Sequence, residues 1–209
     1  MLIPFDELFA RHNVKCTGIL HCGASFCQER DMYHTLRIPE VIWVEAIPDV
    51  YEQAQLRLLG YHNQIILNAC VSNETGRIVK FNVSNNESQS SSYLELAHHK
   101  IIHPEVHYTQ QLEMVTIRLD ELLEGYNTEH LNFGNFDLQG AELDALIGLG
   151  EKIHQFDYFY LEVNKKEVYK GCALVEELDE FLSAFQRVET GGWVGDSWSD
   201  AFYVRKTLL

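Results

Sequence analysis

Residues 18–45 read GILHCGASFCQERDMYHTLRIPEVIWVE, and their pattern decides the fold. Gly18 to Cys22 is a short apolar run that ends in Gly23-Ala24-Ser25. Phe26 to Leu36 is compatible with a helix, Pro39 breaks the pattern, and a second apolar run, Val41 to Val44, ends on Glu45. Strand, glycine turn, helix and a strand ending in an acid form the first half of a nucleotide-binding βαβ unit. The missing Cβ of Gly23 lets the backbone pass close to a ligand. Glu45 follows Gly23 by 22 positions, near the spacing of roughly 20 at which an acid accepts hydrogen bonds from a ribose diol. A single glycine does not make the GxGxxG cradle of a dinucleotide, so adenosine without phosphates is the better fit.

Working outward, Pro4 to His12 reads as a short helix with Phe5, Leu8 and Phe9 inward. Asp49 to Leu59 is a second helix with Val50, Ala54 and Leu58 on one face, stopped at Gly60. Ile65 to Val71 is a third apolar run and Ile78 to Val83 alternates like a strand. Leu112 to Leu119 alternates again, and Asp120 to Leu123 starts a short helix. Phe133 to Leu138 is a strand ending at Asp137-Leu138-Gln139-Gly140. Ala141 to Leu149 is a helix with Leu143, Leu146 and Ile147 inward, and Tyr158 to Val163 is a strand containing Glu162. Cys172 to Phe185 has the clearest 3.6-residue period. Two β-like stretches around GGWVGDSWSD close the chain. The pattern predicts a doubly wound α/β sheet, mostly parallel, with an antiparallel closing hairpin. Trp43, in a strand, is expected in the core.

A chain of 209 residues fits one domain with a sizeable core. Its net charge of −15 argues against nucleic acid or an anionic membrane as the main partner, and leaves a small neutral or cationic substrate open. The N-terminus carries acids where a signal peptide needs an apolar stretch, and no run approaches the roughly 20 apolar residues of a membrane span. A soluble cytoplasmic protein is the expectation. Five cysteines without a CxxC pair predict reduced thiols. A homodimer is compatible with the sequence, although no heptad or exposed apolar stripe demands one.

Residues 84–111 form a polar stretch, SNNESQSSSY followed by His98, His99, His103 and His107, and read as a substrate lid or binding loop. The histidines offer imidazoles to a metal, but Pro104 damages the helix that would align them, so a solvated loop without metal is expected.

The segments HCGASFCQE, WVEAIP, NACVSNETG, SSSY, FDLQGAELDALIG, YLEVN and WSDAFYVRK occur in this order over roughly residues 15–206. Together they resemble the FkbM family of S-adenosylmethionine (SAM) dependent methyltransferases, with FDLQGAELDALIG the most specific. The resemblance implies a seven-stranded Rossmann-like class I methyltransferase fold and methyl transfer to oxygen, often a sugar hydroxyl. It implies that Gly23 and Ala24 lie under the methionine part of SAM, that Glu45 holds the ribose, and that Asn68 and Ala69 flank the adenine. His21, Ser25, Glu29, Ala46 and Asp137 complete the cofactor site expected on that match. The chain departs from the family pattern at His21-Cys22 and at Ser25-Phe26-Cys27, while Gln28 and Glu29 keep a polar end.

Methyl transfer from a sulfonium is an in-line displacement that depends on positioning, and a general base helps a sugar hydroxyl lose its proton. Asp137 and Glu162 are the catalytic candidates; Asp137 could instead cap the helix that follows it, and Glu162 could simply be paired. Ser91, Ser92, Tyr93, Gln139, Glu142, Trp198 and Asp200 are the substrate-binding candidates. Ser91, Ser92 and Tyr93 are equally readable as a solvated loop, Glu142 as a helix-dipole partner, and Trp198 with Trp193 as a staple for the closing hairpin. The leading expectation is an O-methyltransferase for a carbohydrate or another small hydroxylated acceptor. A SAM- or nucleoside-binding module without catalysis, and a nicotinamide oxidoreductase, are the alternatives.

Overall fold

A computed structural model describes residues 2–209. Among the described residues ten strands follow one another: β1 (Ile19–Cys22), β2 (Val41–Glu45), β3 (Gln64–Asn68), β4 (Cys70–Val71), β5 (Ile78–Ser84), β6 (Tyr108–Ile117), β7 (Phe133–Phe136), β8 (Tyr158–Asn164), β9 (Phe185–Thr190) and β10 (Trp198–Arg205). Seven of them make one sheet in the order β3-β2-β1-β7-β8-β10-β9. Neighbours from β3 to β8 are parallel, and β10 runs antiparallel between β8 and β9. The mostly parallel class I methyltransferase sheet with its antiparallel hairpin is therefore present.

Every residue of β1, β2, β7 and β8 is buried, as a sheet covered on both faces requires. One face buries Phe5, Tyr33, Trp43, Phe133, Tyr160 and Phe202 beneath the helices Phe5–Arg11, Arg30–Thr35 and Pro48–Arg57. Trp43 is fully buried there and donates its indole N–H to Gln64 at 3.1 Å. The other face buries Leu20, Phe136, Leu146, Leu161 and Leu178 beneath the helices Glu142–Gly148 and Val175–Phe181. The chain moves outward from β1 through β2 to β3 and then returns to β7 on the other side of β1. The connections leaving β1 and β7 lead to helices on opposite faces of the sheet, and a crevice opens at the carboxyl ends of these strands.

Several sequence expectations change. The run Ile65–Val71 divides after Asn68: β3 ends the main sheet, while Cys70–Val71 joins a second, three-stranded sheet in the order β4-β6-β5. Phe26–Leu36 is helical only over Arg30–Thr35, because Ser25 and Cys27 take positive φ (46° and 51°) in the turn before it. In the helix Glu142–Gly148, Ala145 and Leu146 face inward while Ile147 is exposed. The helix expected over Cys172–Phe185 is confined to Val175–Phe181. Leu182 leaves helical geometry at ψ 37°, and Phe185 reaches the core as the first residue of β9, so a strand completes what looked like a continuing helical period.

The polar stretch between β5 and β6 spans residues 85–107, shorter than the 84–111 expected, because Ser84 ends β5 and Tyr108 begins β6. It is strapped to the chain after β8. Ala97 and His99 N–H groups donate to the Val168 carbonyl at 3.0 and 3.1 Å, and Lys170 N–H donates to Glu95 at 2.8 Å. No helix is long and apolar enough to cross a membrane among the described residues.

Candidate active site

A cavity of about 700 Å³ opens at the carboxyl ends of β1, β2 and β7 and extends beneath the strapped polar stretch. At one end, the turn after β1 folds back on β2, with the Gly23 and Ala24 N–H groups both donating to the Val44 carbonyl at 3.0 Å. Gly23 has φ +86°, and a Cβ there would stand 1.8 Å from the Asp137 carbonyl oxygen. Close packing of the β1 and β7 turns thus requires the glycine. Gly140 is similar: its φ is +96°, and a Cβ would meet Tyr169 and Cys172 at 2.8 and 3.0 Å.

Glu45 ends β2 and is buried. One carboxylate oxygen accepts Ser25 N–H at 2.8 Å, and the other accepts Ile47 N–H at 2.9 Å. Burial raises its pKa to about 7, against the pull of those N–H donors. Each oxygen keeps a lone pair for a further donor. His21 is buried behind this turn, stacked on Trp43 at a ring separation of 4.4 Å, with Nδ1 3.0 Å from the Tyr33 hydroxyl. Burial lowers its pKa to about 3, so the imidazole is neutral.

Across the crevice lies a group of acids. Asp137 follows β7 and is open to the cavity, yet protein surrounds it on its other sides; desolvation, then the charge of Asp200, raises its carboxyl to about 6. Glu162 on β8 lies directly across from Asp200 on β10, so both side chains emerge on one face of the sheet. Burial, then Asp137, pushes Glu162 well up. Asp200 accepts the Tyr160 hydroxyl at 2.7 Å. Gln139, at φ 54°, donates its amide to Asp137 and to Glu162, the latter at 3.0 Å. Its amide oxygen accepts the Tyr169 hydroxyl.

Most of the candidate residues converge here. His21, Gly23, Ala24, Ser25, Glu29 and Glu45 line the first end, with Ala46 and Ala69. Asp137, Gln139, Glu162, Trp198 and Asp200 line the second, with Ser91 and Tyr93 from the strapped stretch. Three do not reach the cavity. Asn68 turns its amide back onto the Glu45 and Ala46 carbonyls at 2.8 and 3.1 Å, which closes the end of β2. Ser92 is buried and its hydroxyl accepts Leu94 N–H at 3.1 Å. Glu142 accepts Leu138 and Gly140 N–H groups at 2.7 and 3.2 Å, so it braces the loop after β7 instead of meeting a ligand. Its pKa rises to about 8 through burial.

Of the four histidines, His99 and His103 line the cavity. His99 is buried with Nε2 3.1 Å from the Ser90 hydroxyl. Among the described residues no three His, Cys, Asp or Glu side chains are placed to hold a metal. Tyr160 and Tyr169 also line the cavity, and neither is among the residues expected there. Tyr160 could have been found by alternation, since it shares a strand face with Glu162, whereas the charged surroundings of Tyr169 give no such signal.

The family description "Methyltransferase FkbM domain" matches residues 21–188. The 2-O-methyltransferase NoeI of Sinorhizobium fredii (strain NBRC 101917 / NGR234) is 25% identical over 129 residues, 59% of this chain and 53% of that protein. The chain thus spans about half the length of the curated relative it matches. Among solved structures, a putative tRNA (m1A22) methyltransferase of Streptococcus pneumoniae, Sp1610, superposes with TM-score 0.51 at 11% identity, over 98% of this chain and 71% of that one. Magnesium protoporphyrin IX methyltransferase (ChlM) of Synechocystis PCC 6803 superposes with TM-score 0.52 at 10% identity, over 96% and 76%. These two structures share the fold.

Proposed function

The chain belongs to the methyltransferase FkbM domain family, and from that premise we propose that it transfers a methyl group from SAM to a hydroxyl oxygen of a saccharide or a similar small acceptor. The observation that carries this reading is the charge of the cavity. Glu29, Glu45, Asp137, Glu162 and Asp200 line it, and among the described residues no Lys or Arg does. Such a lining suits a cationic cofactor and disfavours acceptors that carry a carboxylate or a phosphate.

The residues fit SAM. Glu45 keeps free lone pairs for the two ribose hydroxyls, and the Gly23-Ala24 turn offers a surface without bulky side chains. Bound there, SAM supplies an electrophilic methyl group on a sulfonium. Asp137, with its pKa raised to about 6 by desolvation and by Asp200, is mostly ionised above pH 7 and takes the proton from the acceptor hydroxyl. Glu162 and Asp200 accept further hydroxyls of the acceptor, and the Trp198 ring offers its face to the apolar side of a sugar. Residues 85–107, held by their straps to the chain after β8, exclude water from the reacting groups. The name of the relative, a 2-O-methyltransferase, supports oxygen as the accepting atom.

Incubation with methyl-labelled SAM and a panel of neutral, amino and acidic saccharides tests the reading. Label is expected in an ether linkage on neutral or amino sugars, and at least about tenfold less on acidic ones. Transfer to none of them by a protein that binds SAM would favour the alternative, a binding module without catalysis.

A further inference from the structure

Gln139 has two features that simple acceptor binding does not explain. Its backbone takes φ 54°, a conformation that L residues other than Asn and Asp seldom adopt. The Glu142 carboxylate holds it there by accepting the N–H groups on both sides, from Leu138 and Gly140. The result is that one amide lies between two carboxylates that approach the cavity from different strands, Asp137 after β7 and Glu162 on β8. The same amide accepts the hydroxyl of Tyr169.

Tyr169 connects this arrangement to the strapped stretch. It is buried, packs its ring 5.5 Å from that of His99, and pairs with Leu96 through a backbone bridge. Residues 95–99 and 167–170 are joined by four backbone hydrogen bonds, including Ala97 to Val168 and Lys170 to Glu95. Seating of the polar stretch and placement of the Tyr169 hydroxyl are one structural event.

We propose that Gln139 is a positioning residue: with the polar stretch seated, Tyr169 fixes its amide so that both N–H groups face Asp137 and Glu162, which holds the two acids together and favours their ionised forms. The inference rests on the methyltransferase reading for its purpose, but not for its test. The other groups that face the pair are Asp200 on β10, Glu29 before the helix Arg30–Thr35, Glu142, and the Tyr160 hydroxyl. These three acids all oppose ionisation of the pair, so the amide acts in the other direction.

The test is a titration of the ligand-free protein by carbon NMR of labelled Asp and Glu carboxyls, with the resonance of Asp137 identified by its loss in Asp137→Asn. Removing donors from a carboxylate raises its midpoint. Gln139→Leu is expected to move the Asp137 midpoint to higher pH by about half a unit or more. Tyr169→Phe keeps the ring against His99 and is expected to move it in the same direction by less. The double variant should go no further than Gln139→Leu alone. An unmoved midpoint in Gln139→Leu, or in Tyr169→Phe, or additive shifts in the double variant, would overturn the proposal. Should Gln139→Leu not fold, Tyr169→Phe carries the test by itself. Failure of the methyltransferase reading shows separately, as absence of SAM binding by the parent, and leaves the titration interpretable.

Discussion

The end of the cavity proposed to hold the cofactor is made from the tips of neighbouring parallel strands, with Gly23 to Ser25 after β1, Glu45 and Ala46 after β2, and Ala69 after β3. The end proposed for the acceptor collects side chains from stretches far apart in the chain: Ser91 and His99 between β5 and β6, Asp137 and Gln139 after β7, Glu162 on β8, Tyr169 beyond it, and Trp198 and Asp200 on β10. The first end depends on turns a few residues long. The second depends on a brace by Glu142, straps between backbones, and an amide shared by two acids. A residue at the first end is therefore tested by what binds, and one at the second by how fast the reaction runs.

The largest separation of the two ends is expected from Asp137→Asn. Loss of a general base slows methyl transfer about 100-fold or more, while SAM affinity, measured by calorimetry, changes by less than about threefold. Equal losses of rate and of affinity would place Asp137 in cofactor binding instead. Gly23→Ala breaks the comparison from the other side, because it damages both ends through the contact between the β1 and β7 turns. The added Cβ falls 1.8 Å from a backbone oxygen at φ +86°, and a loss of about 3 kcal/mol is expected. Gly60→Ala is the control: its φ is +97° with nothing within 4 Å of the added atom, so thermal unfolding should show it the milder of the two.

Acidity gives a smaller effect with a definite sign. Glu45 and Glu142 have folded pKa values raised to about 7 and about 8 by burial. The unfolded chain holds such protons less tightly, near the ordinary value of about 4.3. The stability these two groups confer is thus fully present below about pH 4.3 and is lost as pH rises through 7 and 8. The ligand-free protein should melt at a lower temperature at pH 8.5 than at pH 5.5, by an amount corresponding to about 5 kcal/mol. Glu45→Gln should flatten that slope, and a slope unchanged by the substitution would assign it to other groups.

The same comparison explains what could be read from the sequence. The outline of the sheet and the cofactor end follow from local signals, since an apolar run, its glycine turn and its terminal acid lie within 28 residues. Asp137 was visible for the same reason, as the acid at the end of the run Phe133–Phe136. Asn68 and Glu142 have the right type and place for ligand contact, but backbone partners that only the folded chain supplies take up their side chains. The sequence marks the freedom of Gly23, whereas the Asp137 carbonyl that constrains it is 114 residues away in the chain. Tyr169, in a loop of lysines and a glutamate, carries no periodic or motif signal at all. Its contacts with Gln139 and His99 are tertiary.

Calorimetric titration of SAM and its demethylated product into the parent protein and into Glu45→Ala bears most directly on the account. Saturable binding by the parent, weakened tenfold or more in the variant (about 1.4 kcal/mol), is the predicted result. A folded parent that binds neither ligand, or a Glu45→Ala protein that binds both as tightly as the parent, would contradict it.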